Sequence, residues 1–211
     1  CYNVGSGGQS FRYYYGIIGA ILERYSPKIV ILDITYGEWK VKTNVNETDN
    51  LSPLLPFYSK SKMIKELILH RGKYERIKFM SKIYPFNSQI TNIIHSFLTG
   101  DNDPNISMDG YIPMIGEINE PVIVIKDEPT LQDDSVKICY IRKIISLCLE
   151  KEVNLIIVNS PSYIYTEKEQ REHNILYILA QEYGIEIWDY TNNPKFLKPY
   201  YFVDINHMND N

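Results

Sequence analysis

Tyr2-Asn3-Val4-Gly5-Ser6-Gly7-Gly8-Gln9-Ser10 is the stretch on which the reading of this chain turns. It predicts a short strand, a glycine turn and the start of a helix. Turns of this kind lie at the carboxyl edge of a parallel sheet, where α/β proteins place their chemistry. Glycine there permits positive φ and close approach of backbone amides to a ligand. Ser10 stands where a side chain would cap the helix that follows.

Working outward, residues 11–25 predict a helix, with Tyr14, Ile17, Ile18, Ile21 and Leu22 at the spacing of a buried face. Gly16 and Gly19 would let that helix pack closely on a sheet, and Ser26-Pro27 ends it. Ile29-Val30-Ile31-Leu32 is a continuous apolar run, the pattern of a parallel strand buried on both faces. The first 34 residues therefore predict a strand-helix-strand unit.

The α/β rhythm returns late in the chain. Asp133 or Asp134 opens a helix reaching about residue 152, and Leu155-Ile156-Ile157-Val158 is a second buried strand, broken by Ser160-Pro161. Thr166 and Glu169 have capping-box spacing for a helix over 166–183, stopped by Gly184. Residues 185–189 complete a fourth strand. Alternation of this type predicts a three-layer α/β/α domain with a parallel sheet. Between the halves, about residues 40–120, lies an insertion: a polar, proline-punctuated loop over 44–56, then three short helices over 59–70, 73–82 and 87–98. The whole chain, 1–211, is expected to be one α/β domain carrying this helical insertion.

Composition narrows the functions. Of 211 residues, 44% are hydrophobic and 23% charged, with a net charge of -4 and no basic stripe, so nucleic acid is not an expected partner. No run reaches the roughly 18 apolar residues of a membrane span. Cys139 and Cys148 fall on opposite sides of one helix and cannot bridge each other, so three unpaired thiols are expected, with Cys1 a candidate core residue. No metal or cofactor site is expected, and compartment is not readable. His70, His95 and His173 lie in helical segments without a partner at metal-ligand spacing.

The tail carries the chemistry. In Asp204-Ile205-Asn206-His207-Met208-Asn209 an aspartate precedes a histidine by three residues. A histidine near neutral pKa can take a proton from a serine hydroxyl and return it to a leaving group. A carboxylate on its other ring nitrogen fixes the tautomer and steadies the imidazolium.

Asn3-x-Gly5-x-Gly7-Gly8-Gln9-Ser10, the buried strand that follows Ser26-Pro27 and the Asp204-x-x-His207-Met208-Asn209 tail together resemble the SGNH/GDSL hydrolase family. The resemblance covers residues 1–34 and 131–211. It implies a flavodoxin-like sheet and an ester hydrolase with a serine nucleophile. It places Gly8 as the oxyanion-hole amide, Asp204 as the acid and His207 as the base of a triad. The substrate class implied is an acyl or acetyl ester on a carbohydrate or lipid. The family's first block, a strand ending in Gly-Asp-Ser, is not in the sequence, so the fold is expected with its first strand missing and the serine upstream of a fragment. Its third block reads here Thr35-Tyr36-Gly37-Glu38-Trp39, without the usual oxyanion asparagine. An internal nucleophile at Ser6, Ser10, Ser160 or Ser162 is the lesser expectation.

Two other readings stay open. A catalytically inactive relative could act in polysaccharide binding or assembly. Alternatively, Gly5-x-Gly7-Gly8 could be a phosphate or cofactor loop, with Asp33 as a ribose ligand, although the full G-x-G-x-x-G is missing. The hydrolase reading requires the glycine turn and the tail to border one cleft.

Overall fold

A computed structural model of the chain describes residues 1–35, 38–41, 49–100, 114–119, 123–125, 132–166, 174–205 and 207–209. They form two compact units: Cys1–Ser26, Lys42–Tyr111 and Cys139–Leu147 in the first, and Pro27–Val41, Ile112–Ile138 and Cys148–Asn211 in the second.

The second unit has α/β character. Its sheet contains β1 (Ile29–Asp33), β3 (Asn154–Asn159) and β5 (Glu186–Asp189) in the order β1-β3-β5, all parallel. β1 and β3 grow from apolar, β-branched runs ended by polar or breaking residues, as their sequences predict, while β5 is the short segment Glu186-Ile187-Trp188-Asp189. Central β3 buries Leu155, Ile156 and Ile157. The edge strand β1 departs from expectation. Leu32 and the following Ile34 are buried, but Ile29 and Ile31 are 51% and 58% exposed, so one face is uncovered. A second parallel pair, β2 (Ile123–Ile125) with β4 (Ile164–Thr166), was not foreseen. Thr166 is the last residue of β4. Its capping-box partner Glu169, and His173, lie outside the described residues. Helix α6 (Ile175–Tyr183) is capped by Asn174, whose side chain accepts from the Leu176 amide at 3.0 Å, and it stops at left-handed Gly184.

Helix α5 (Ser135–Glu150) opens on Asp134, which accepts from the amides of Val136 at 2.9 Å and Lys137 at 3.3 Å. The turn after β1 is held from within this unit. The Lys137 ammonium donates to the carbonyls of Lys40 at 2.9 Å and Glu38 at 3.1 Å, while the Glu38 carboxylate accepts from the Thr35 amide at 3.2 Å. Glu38 is therefore a turn residue by its contacts.

The first unit is helical. Residues 2–4 form no strand, and Tyr2 and Val4 are exposed. The Asn3 side chain instead accepts from the Gly5 amide at 2.9 Å, a local turn that competes with strand pairing. Helix α1 (Phe11–Leu22) begins after Ser10, but the Ser10 hydroxyl makes no capping bond; only its carbonyl accepts, from the Tyr14 amide at 3.1 Å. The buried face of α1 is Phe11, Tyr13, Gly16, Ile18, Gly19 and Leu22, with Tyr14, Ile17 and Ile21 only partly covered. The face is rotated because the two glycines pack on helix α2 (Lys62–Leu69) and on the 3-10 segment Asp49–Phe57, not on a sheet. That 3-10 segment replaces part of the expected loop: prolines 53 and 56 suit its φ, and Leu51, Leu54 and Leu55 are buried. Beyond it lie α3 (Glu75–Lys78), a 3-10 turn Tyr84–Phe86 and α4 (Ile90–Thr99).

A methyl group at Gly19 would sit 2.5 Å from Cγ of Met63. Gly19→Ala should therefore lower stability by about 1–3 kcal/mol, even though alanine favours a helix interior by about 1 kcal/mol. Gly72→Ala, where the added carbon meets nothing within 4 Å, should stay within about 0.5 kcal/mol of the parent. Urea unfolding midpoints measure both. An unchanged or raised midpoint for Gly19→Ala would refute the close crossing.

Candidate functional site

Parallel pairing sets Asp33 opposite Val158 and Asn159 opposite Asp189, so three strands end side by side at the carboxyl edge. At the centre, Ser160 donates its hydroxyl to Asp33 Oδ2 at 2.8 Å and its amide to Asp33 Oδ1 at 3.3 Å. Although Asp33 is exposed as a residue, burial of its carboxyl raises the pKa above the ordinary 3.8, outweighing the lowering by the Ser160 bonds. The neighbouring Asn159 is buried, and its Oδ1 has no hydrogen-bond partner among the described residues. Asp189 fixes the loop after β5, accepting from the Thr191 hydroxyl at 2.6 Å, the Thr191 amide at 2.9 Å and the Tyr177 hydroxyl at 2.5 Å.

The tail is tied to this edge by the loop that follows β3. The Tyr163 amide donates to the Ile205 carbonyl at 2.8 Å, and the Tyr163 and Phe202 rings lie 5.3 Å apart. Tyr163, Phe202 and Ile118 form a small buried cluster against which Tyr201, Ile205 and Met208 pack. Backbone bonds close the tail into a loop: Val203 donates to the His207 carbonyl at 2.9 Å, and Phe202 bridges Met208. The Asn209 amide group then pins it, donating to the carbonyls of Gly116 at 2.8 Å and Tyr200 at 2.7 Å.

On that loop Asp204 and His207 meet. Nδ1 of His207 lies 2.8 Å and 2.9 Å from the two carboxylate oxygens of Asp204, and Oδ1 also accepts the His207 amide at 3.0 Å. The side chains are 58% and 49% exposed. In this geometry a neutral ring donates Nδ1–H to the carboxylate and leaves Nε2 as its acceptor nitrogen.

Gly8 belongs to the first unit, with φ of +70° and open space where a side chain would be. Next to it, Gln9 Oε1 and Ser10 Oγ are buried without a hydrogen-bond partner among the described residues.

Among the described residues, no cluster of three His, Cys, Asp or Glu side chains could hold a metal ion. All three cysteines are free; Cys1 is exposed rather than in a core, and burial pushes the Cys148 thiol up to about 11. His95 is an exposed residue of the helix over 90–99, and His70 is exposed at the C-cap of α2. Of the third-block residues, Tyr36 and Gly37 lie outside the described set, and Trp39 is fully buried.

The Ser160–Asp33 pair was not anticipated, although both residues terminate apolar strand runs, the one signal that could have joined them. Comparison with protein-family models, with curated proteins and with solved structures gives no match.

Because the Asp33 pKa is raised in the folded chain, the group protonates earlier there than in the unfolded chain. Its contribution is unfavourable above the folded pKa and fades as pH falls through that value toward the unfolded one. Asp33→Asn, which keeps an acceptor for Ser160, should thus unfold at higher urea than the parent at neutral pH. The gap should close at the most acidic pH at which the chain still folds. A variant less stable than the parent at neutral pH would mean that the ionised carboxylate holds the edge together.

Proposed function

We propose that this chain is part of a serine ester hydrolase of the SGNH/GDSL type, built on a three-layer, flavodoxin-like α/β/α domain. The observation that carries the proposal is the carboxylate of Asp204 on Nδ1 of His207 at 2.8 Å, on a loop anchored to the segment following central strand β3. In this reading Nε2 of His207 takes the proton from a serine hydroxyl as its oxygen attacks an ester carbonyl. Asp204 keeps the ring oriented and stabilises the imidazolium. Negative charge develops on the carbonyl oxygen in the tetrahedral intermediate and needs a backbone amide donor, the role that the resemblance gives to Gly8. His207 then protonates the departing alcohol, and water releases the acyl group by the same steps. In the family that serine belongs to the first block, a strand ending in Gly-Asp-Ser. The substrate is an acyl or acetyl ester of a carbohydrate or lipid.

Asp33 is less suited to the ribose role of a dinucleotide site, since Ser160 engages both of its oxygens. One observation favours a variant of the hydrolase reading with an internal nucleophile. Ser160 is hydrogen-bonded to a carboxylate of raised pKa and lies three residues before Tyr163, whose amide holds the His207 loop.

In protein that includes the serine block, His207→Ala should lower ester turnover by about a thousandfold or more, and Asp204→Asn by a similar order, with melting temperature unchanged because both side chains are half exposed. Hydrolysis of a nitrophenyl acetate measures this. A fluorophosphonate label located by peptide mapping separates an upstream serine from Ser160. Full turnover in His207→Ala would reject the hydrolase reading.

A further inference from the structure

Helix α4 (Ile90–Thr99) has no buried residue, yet its sequence is fully amphipathic. Ile90, Ile93, Ile94, Phe97 and Leu98 occupy one arc of about 140°, and Thr91, Asn92, His95, Ser96 and Thr99 the opposite one, at about 100° per residue. Phe97 is 87% and Leu98 76% exposed. β-Branched residues and Asn, Ser and His dominate it, and these are weak helix formers. So short a helix is marginal in water without apolar packing. Its sequence therefore calls for an apolar surface to lie on.

Charge identifies that surface. Residues 60–82 hold eight Lys or Arg (Lys60, Lys62, Lys65, Arg71, Lys73, Arg76, Lys78 and Lys82) against two Glu, in a chain of net charge -4. Glu75, one of the two, is buried and occupied by Lys78 and the Tyr84 hydroxyl, both at 2.7 Å. Lys73, Arg76 and Lys82 are exposed. Residues 83–100 then contain no Asp, Glu, Lys or Arg at all. A basic, solvent-facing segment leading directly into an uncharged amphipathic helix is the pattern that engages anionic lipid headgroups while laying an apolar face into the acyl boundary. A protein partner for the helix alone would not account for the basic excess. No helix among the described residues is long and apolar enough to cross a membrane, so the contact is interfacial.

We infer that α4 and the basic segment before it form a peripheral membrane-binding surface for anionic bilayers. Binding combines insertion of Phe97 and Leu98 with attraction of Lys73, Arg76 and Lys82 to lipid phosphates. This inference is independent of the hydrolase reading.

Flotation of the whole protein with vesicles of phosphatidylcholine and phosphatidylglycerol, against vesicles of phosphatidylcholine alone, tests it. The protein should float with the anionic vesicles and not with the neutral ones, and salt raised well above physiological strength should release it. Phe97→Ser with Leu98→Ser should lower partitioning by roughly tenfold or more, since two large apolar side chains leave the acyl boundary. Lys73→Glu with Lys82→Glu, on different residues, should lower it by a similar factor while preserving the apolar face. Circular dichroism and a thermal melt establish that each variant folds; should the apolar pair fail, the charge pair decides alone. Absence of flotation with anionic vesicles at low salt, equal flotation with neutral vesicles, or retention in the folded variants would overturn the inference. So would a concentration-dependent dimer that Phe97→Ser with Leu98→Ser dissociates in the absence of lipid binding, since the face would then belong to a second copy.

Discussion

Strand β3 is hydrogen-bonded along both sides by parallel neighbours, and the arrangement of the second unit depends on that pairing. Parallel strands point the same way, so their carboxyl ends collect at one edge. The register, with Asp33 opposite Val158 and Asn159 opposite Asp189, brings the last polar residues of three strands abreast. A slip of one residue would turn Asp33 to the other face of β1 and break its contact with Ser160. The same edge extends into the tail, because the Tyr163 amide reaches the Ile205 carbonyl only four residues after β3 ends.

Within the tail, what holds the loop and what gives it chemical potential are different interactions. A contact between half-exposed side chains such as Asp204 and His207 contributes little to stability, about 0–1 kcal/mol. The loop is kept in place by fully buried Phe202, by the backbone bonds of Val203 and Tyr163, and by Asn209. The carboxylate therefore acts on orientation: it fixes which ring nitrogen carries the proton. Exposure of the imidazole leaves the ring accessible from solvent.

Local and nearly local features were the ones legible in the sequence. Two apolar runs became β1 and β3 because β-branched residues between breakers leave few other choices, and the short segment after Gly184 became β5. Asp204 and His207 were legible as a pair because three residues of a turn suffice to join them. Features set by distant neighbours were not. Asp33 and Ser160 are 127 positions apart, and only the strand register unites them. Gly16 and Gly19 announced a close approach, but nothing in α1 said that Leu54, Met63 and Leu67 would be the neighbours. The reading of residues 2–4 as a strand failed for a local reason that was on view. Asn3 two residues before Gly5 offers the backbone a turn in place of a ladder. Strands of three residues such as β2 and β4 are too short for periodicity to reveal.

The two long apolar patterns of the first unit meet different fates. Helix α1 has glycines exactly where α2 and the 3-10 segment come closest, so its apolar side chains are shielded by neighbours from the same unit. Helix α4 has an equally segregated apolar arc, but no glycine to admit a neighbour, no buried side chain and poor intrinsic propensity. Ridge-forming Ile, Phe and Leu without a matching hollow suit a surface that adapts to them, and a fluid lipid boundary needs no shape complement. Polar Thr, Asn and Ser on the opposite face let the helix rest at such a boundary without drawing it deeper, and the lysines and arginines upstream select the sign of the headgroups.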